Sequence, residues 1–281
     1  MAAFAVVLVL SAGLFVVALR ISKGLTGKVA GFAALVLVAA LVAFMTTVRD
    51  SLVFARLMPI SSVLVAADLM LPLAALLAGV LAASLPERRR MLLPIVLLLT
   101  AAIYSARPLI AKPPKLDGRA AVRGVIPQTS DASCGAASAA TLLLTEGIPA
   151  TEPEMARLCR TTKDGTEMLG IYRGLSIKAR GSGLGVGALS GASVEELFRT
   201  AKEHGPVLIV VGLPRVSLRP VDPRYENDWG WTPGLHHAVV FFGVLPNGKI
   251  DMGDPSAGRE AWSRQALDVL WNGEGLYLVR R

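Results

Sequence analysis

Two cysteines and three histidines are all that the 281 residues offer for thiol or metal chemistry. Neither cysteine belongs to a C-x-x-C pair, and the histidines His204, His236 and His237 lack H-x-x-x-H spacing, so no structural zinc site is expected. There is no G-x-x-x-x-G-K-S/T phosphate loop. The glycine run Gly181, Gly183, Gly185 and Gly187 imitates a nucleotide loop but lacks a preceding strand and a following helix at the proper spacing, and phosphate binding is not expected there. No cofactor is implied. Internal repeats and low-complexity stretches are missing as well, so the chain does not read as a solenoid or a disordered tail.

Apolar residues, by contrast, are abundant at 53%, and the excess sits in the first 110 positions. Apolar runs lie at about residues 3–19, 29–47, 60–84 and 91–104. About 20 apolar residues cross a bilayer, so the first three are long enough, the fourth is marginal, and about four transmembrane helices are expected. The first run has no basic start and further runs follow it, so it reads as a retained anchor rather than a signal peptide. Asp68, a lone acid inside the third run, is read as a protonated or helix-paired structural group.

Charge follows the same division. Residues 1–124 carry 13 Lys/Arg against 4 Asp/Glu, whereas residues 125–281 carry 16 against 17. The formal net charge of +8 therefore belongs to interhelical loops and the stretch after the last apolar run, which argues against nucleic-acid binding. Arg20, Lys23 and Lys28 follow the first run and Arg88 to Arg90 follow the third, which puts those loops in the cytoplasm and the C-terminal half outside. Arg49, Arg56, Arg107, Lys112, Lys115, Arg119 and Arg123 pull the other way. The first helix often dominates topology and has no Lys or Arg before it, which favours the outward orientation.

Residues 111–124, with Pro113, Pro114 and mixed charges, read as a linker between a membrane region at 1–110 and a domain at 125–281. In that domain a helix is expected from Cys134 to Glu146, with Ser133 able to cap it and Gly147 and Pro149 ending it. Thr151 with Glu154, and Ser193 with Glu196, have capping-box spacing, and another helix is expected over 167–173. Strands are expected at 207–212, 238–245, 249–252 and 276–279, with Asn247-Gly248 as a tight hairpin turn. Helices first and antiparallel strands second make an α+β domain.

Cys134 opens a helix, where the positive dipole end and free N–H groups favour a thiolate. Gln128 precedes it by six positions and can donate, with the Cys134 N–H, to a developing oxyanion. Among the histidines, His204 ends a helix and is discounted; His236 and His237 open an apolar strand on opposite faces, so one of them can point at Cys134. Asp254 on the following strand can fix the base's tautomer. Cys159 is expected to be a buried thiol. The segment 214–235, with Tyr225, Trp229 and Trp231, reads as a loop beside the site whose tryptophans either bind substrate or fold the loop onto the domain.

Together QTSDASCGAASAATLLL, HHAVVFFG and DMGDPSAG resemble the bacteriocin-processing, double-glycine leader peptidases of the papain-like clan. By that resemblance Gln128 is the oxyanion donor, Cys134 the nucleophile, His237 the base and Asp254 its partner. His237 is preferred over His236 because the family's histidine stands directly before an x-Val-Val run, matched by Ala238, Val239 and Val240. DGTEMLGIYRGL is similar to the family's Gly-Thr helix, and the match spans about 125–258. The resemblance implies a papain-like fold and cleavage of a peptide or protein substrate, and in the family's transporter fusions a cytosolic peptidase, against the outward orientation favoured by the loop charges. The apolar runs make this a bacterial inner or cell membrane protein, and Trp229 and Trp231 are the substrate-binding candidates of the loop. Family members are usually fused to a transporter, so export is not expected of these residues, while a membrane-protein partner is. An amidase or acyltransferase, or a non-catalytic peptide-binding module, are the alternative readings.

Overall fold

The computed structural model describes residues 2–48, 70–110, 112–216 and 220–280. Asp68, Arg49 and Arg56 lie outside the described residues. The chain divides into two compact units, Met1–Ala111 and Lys112–Arg281.

The first unit is helical: α1 (Ala2–Ser22), α2 (Gly27–Ala43, continued by a π-helical turn at Phe44–Val48), α3 (Met70–Ser84) and α4 (Leu92–Ile110). Helix α3 is the central one, its Leu71, Ala74, Ala75, Leu77, Ala78 and Val80 all buried. Gly79 lets α1 approach its backbone, since a Cβ there would lie 2.6 Å from the Phe15 carbonyl oxygen. Outward faces are apolar too: Val9, Ile21, Phe32, Leu35, Leu99 and Ile103 are exposed, a pattern that suits lipid rather than water. The expectation of about four spans is met in part. Among the described residues two helices, Phe4–Ser22 and Gly27–Thr47, are long and apolar enough to cross a membrane, while Met70–Ser84 and Leu92–Ala106 are shorter apolar helices. The first part of the third run, 60–69, lies outside the described residues, and the apolar stretch of α4 stops before Arg107 and Pro108.

The second unit is α+β. Helices α5 (Cys134–Thr145), α6 (Glu152–Cys159) and α7 (Met168–Lys178) come first, followed by β1 (Leu184–Leu189), α8 (Val194–His204), β2 (Val207–Val211), β3 (His237–Val244), β4 (Ile250–Asp254), β5 (Gly258–Trp262), α9 (Arg264–Leu270) and β6 (Trp271–Arg280). The six strands form one sheet in the order β1-β6-β2-β3-β4-β5, every neighbouring pair antiparallel. Strand β2, the run VLIVV, has Val207, Leu208, Ile209 and Val211 fully buried, as a central strand covered on both faces requires. Val207, Ile209, Val211, Val239, Phe241, Met252 and Leu267 build the main core with Leu197 of α8.

Strand β1 and the β3–β4 turn depart from the expected pattern. β1 runs through the glycine-rich stretch: Gly181 and Gly183 turn the chain at φ 83° and 76°, and Gly185 and Gly187 then pair with Val279 and Tyr277 of β6. A side chain at Gly187 would overlap the Tyr277 ring, so this glycine admits an aromatic cross-strand neighbour rather than a phosphate. β1 therefore lies between α7 and α8 in the chain, and the helices do not all precede the sheet. In the β3–β4 hairpin, the Gly248 N–H closes the turn onto the Leu245 carbonyl, so the central residues are Pro246 and Asn247. Gly248, at φ 78°, occupies the left-handed position after them.

Candidate active site

The nucleophile candidate sits where α5 meets the sheet. Gly135, Ala136, Ala137, Ala139 and Ala140 are all buried, and this run of small residues brings α5 close to β3. A Cβ at Gly135 would lie 2.9 Å from both Ile171 and Thr166, so no side chain fits there. The Ser138 hydroxyl donates to the Ala238 carbonyl (2.8 Å), tying the helix to the first turn of β3. Ser133 occupies the cap position but makes no side-chain capping bond. Its hydroxyl accepts the Ser130 N–H (3.2 Å) and lies within donating distance of both the Ser130 carbonyl (2.7 Å) and Glu152 Oε1 (2.6 Å). The first N–H groups of α5 are thus left to the active site, and the Gly135 N–H bonds the Cys134 sulfur.

Cys134, His237 and Asp254 form one connected chain. His237 Nε2 lies 2.9 Å from Asp254 Oδ1, and the other face of the ring hydrogen-bonds the Cys134 sulfur. Asp254 is buried and further held by the Ser256 N–H (2.6 Å) and hydroxyl (2.6 Å), so it serves both as turn former before Pro255 and as the imidazole's acceptor. His236 lies one residue before the strand, exposed on the rim of the same cleft. His204 stacks on Tyr277, ring centroids 4.9 Å apart, and does not enter the cleft.

Gln128 is fixed by its own backbone, whose N–H donates to the Pro255 carbonyl (2.8 Å) beside Asp254. Its side-chain Nε2 donates one hydrogen to the Ser130 carbonyl (3.1 Å). An amide nitrogen carries two, so the second remains for a ligand in the cleft. Among the described residues no group of three or more His, Cys, Asp or Glu side chains could hold a metal ion.

The electrostatics favour an ion pair. Burial alone would push the Cys134 thiol up, but the hydrogen bond and positive charge of His237, with the Ala238 and Gly135 N–H groups, outweigh it and the pKa is lowered. Burial would likewise depress His237; hydrogen bonds to Asp254 and to Cys134 instead raise it to about 10. For Asp254 burial raises and the His237 and Ser256 contacts lower, with a net lowering. Thiolate beside imidazolium is the reactive form of a cysteine nucleophile.

A cleft of 740 Å³ opens over this chain, lined by Gln128, Cys134, His237 and Asp254 together with Trp229, Trp231 and Trp262. Trp231 packs edge-on against both His237 (6.5 Å) and Trp262 (6.0 Å) and is half-buried on the core. Trp229 is 54% exposed and edge-on to the buried Tyr225. One tryptophan thus folds the loop down, and the other leans on Tyr225 and Arg224 with much of its ring exposed. Trp262 and Glu260 of β5 complete the wall, and neither was reached from the sequence. The signal available was the alternation in GREAW, which puts both on the face that carries Asp254.

Solved structures that this chain resembles include peptidase domains. It is similar to the peptidase domain of Streptococcus ComA, a bifunctional ABC transporter of a quorum-sensing pathway. Identity is 22% and TM-score 0.41, over 56% of this chain and 98% of that one. It is also similar to a double-glycine-motif protease from an AMS/PCAT transporter solved with its leader peptide, again at 22% identity and TM-score 0.41, over 59% and 96%. No protein-family model matches the chain, and no curated protein does.

Proposed function

We propose that the protein is a membrane-anchored cysteine peptidase that uses Cys134 as nucleophile, His237 as acid and base, and Asp254 as the group that orients the base. The observation that carries this reading is the hydrogen-bonded chain from Asp254 through His237 to Cys134, opening onto a cleft large enough for a peptide.

The Cys134 thiolate adds to the scissile carbonyl carbon. Charge collects on the carbonyl oxygen, which the free Gln128 Nε2 hydrogen and the Cys134 backbone N–H stabilise. The C–N bond breaks as His237 passes its proton to the departing amine, leaving a thioester on Cys134. Water then adds to the thioester with His237 accepting its proton, and the carboxylic acid leaves as the thiolate is restored. Asp254 accepts the Nε2 hydrogen throughout, which keeps the other ring nitrogen facing the sulfur.

The sequence motifs further favour a leader peptide cut after small residues such as Gly-Gly, with Trp229 and Trp231 contacting the substrate. The apolar N-terminal helices favour an integral protein of a bacterial inner or cell membrane, and the loop charges an extracytoplasmic active site.

Labelling of intact cells with a membrane-impermeant maleimide tests chemistry and orientation together. Labelling in wild type and in Cys159→Ala, lost in Cys134→Ala, is expected. Labelling of Cys134 only after lysis would reverse the orientation, and a Cys134 no faster than a free thiol in lysate would sink the enzyme. Products formed from a Gly-Gly peptide with and without added hydroxylamine separate hydrolysis from acyl transfer.

A further inference from the structure

Glu152, the first residue of α6, is completely buried although it carries a carboxylate. Its Oε1 accepts the Thr129 N–H (2.7 Å) and the Ser133 hydroxyl (2.6 Å), and its Oε2 accepts the Thr129 hydroxyl (2.7 Å). All three donors are neutral. Thr129 directly follows Gln128, and Ser133 directly precedes Cys134. One side chain therefore grips both ends of the short loop that sets the Gln128 amide relative to the Cys134 N–H.

We infer that Glu152 is a positioning residue for the oxyanion site, acting through Thr129 and Ser133 rather than touching substrate. This rests on the peptidase reading above and adds a group outside the Cys134–His237–Asp254 chain. The inference separates two properties that a general structural role would move together. Thiolate formation depends on His237 and on α5, whereas stabilisation of a tetrahedral oxyanion depends on the placement of Gln128 Nε2 and the Cys134 N–H.

Two reagents read these properties apart on the detergent-solubilised full chain. Iodoacetamide forms a C–S bond with loss of iodide and passes through no oxyanion. 4-Nitrophenyl acetate forms a thioester with loss of 4-nitrophenolate and does pass through one. Glu152→Ala is expected to slow the 4-nitrophenolate burst about 10-fold or more, given that a whole oxyanion donor is worth about 10²–10³. Iodoacetamide alkylation of Cys134 should stay within about 2-fold. Glu152→Gln, which keeps one acceptor for the Thr129 N–H, should recover most of the burst rate. Should Glu152→Ala fail to fold, Ser133→Ala removes the Glu152 tether at the Cys134 end together with that hydroxyl's contacts to Ser130, and the same split at about 2- to 5-fold is expected. Burst and alkylation falling together, or neither changing, would overturn the role of Glu152 while leaving the peptidase intact. A wild-type chain that alkylates rapidly but gives no burst would overturn the peptidase reading, and this inference with it.

Discussion

Cys134 stands at the amino end of α5, half-buried at the floor of a cleft, whereas Cys159 closes α6 inside the seam between α6 and α7. Both lose solvation, and for Cys159 burial decides the outcome, raising its pKa to about 12. The seam exists because α7 carries glycine at Gly170 and Gly174, where side chains would overlap the Cys159 carbonyl and sulfur. For Cys134 the same penalty is outweighed by an imidazolium and two N–H groups. Thiol reactivity in this unit is thus set by what replaces water around the sulfur, not by how much water is removed.

The largest way to break that comparison is to delete each sulfur. Cys134→Ala is expected to lower peptide hydrolysis by about 10⁴-fold or more, with kcat of Cys159→Ala within about 2-fold. Steady-state cleavage of one peptide by both variants checks it; equal losses would erase the distinction. Next in size is Asp254→Asn, which leaves the His237 ring without its anionic anchor and is expected to cost about 10²–10⁴ in kcat. Cys159 in the folded variant should stay as protected from alkylation as in wild type, which places the loss in the cleft.

The pH profile sharpens the contrast. Activity needs Cys134 without its proton and His237 with one. Rate should therefore climb through a thiol pKa below the ordinary 9.0 and decline as His237 loses its proton at about 10. In His237→Ala, the alkylation profile of Cys134 should move up toward 9.0. A profile unmoved by that substitution would mean the imidazolium does not activate the thiol. On the inert side, Gly174→Ala forces a methyl onto the Cys159 sulfur. It should cost about 1–3 kcal/mol in denaturant unfolding while Cys134 alkylation stays the same. The smallest effect is expected from Trp229→Ala, a rise of a few-fold in KM at near-constant kcat, because the ring is exposed and its packing partner Tyr225 remains.

The sequence carried the local signals well and the long-range ones poorly. Ser193 and Glu196 form the reciprocal capping box their spacing announces. Thr151 caps α6 through the Glu154 N–H, but the Glu154 carboxylate pairs with Lys178 instead of closing the box. Ser133 looked like a cap and is used by Glu152, a partner 19 positions away that no periodicity reveals. Gln128, Cys134, His237 and Asp254, singled out by motif resemblance, line one cleft because each lies beside a helix start, a strand start or a turn. Glu152 was not, because a carboxylate in the first turn of a helix ordinarily needs no explanation beyond the dipole. β1 was missed for a related reason: glycines that look like a loop are there to admit Tyr277 from a strand some ninety positions on.

His237 and Asp254 belong to neighbouring strands 17 positions apart, so the hairpin that joins β3 to β4 can assemble them by itself. The sulfur comes from a helix whose tether to β3, Ser138 to Ala238, spans 100 positions. Closing so long a loop is a late and cooperative event in the folding of such a domain. Before α5 has docked on β3, the Cys134 thiol lacks the imidazole that lowers its pKa. Docking of α5 and activation of the thiol are therefore a single event.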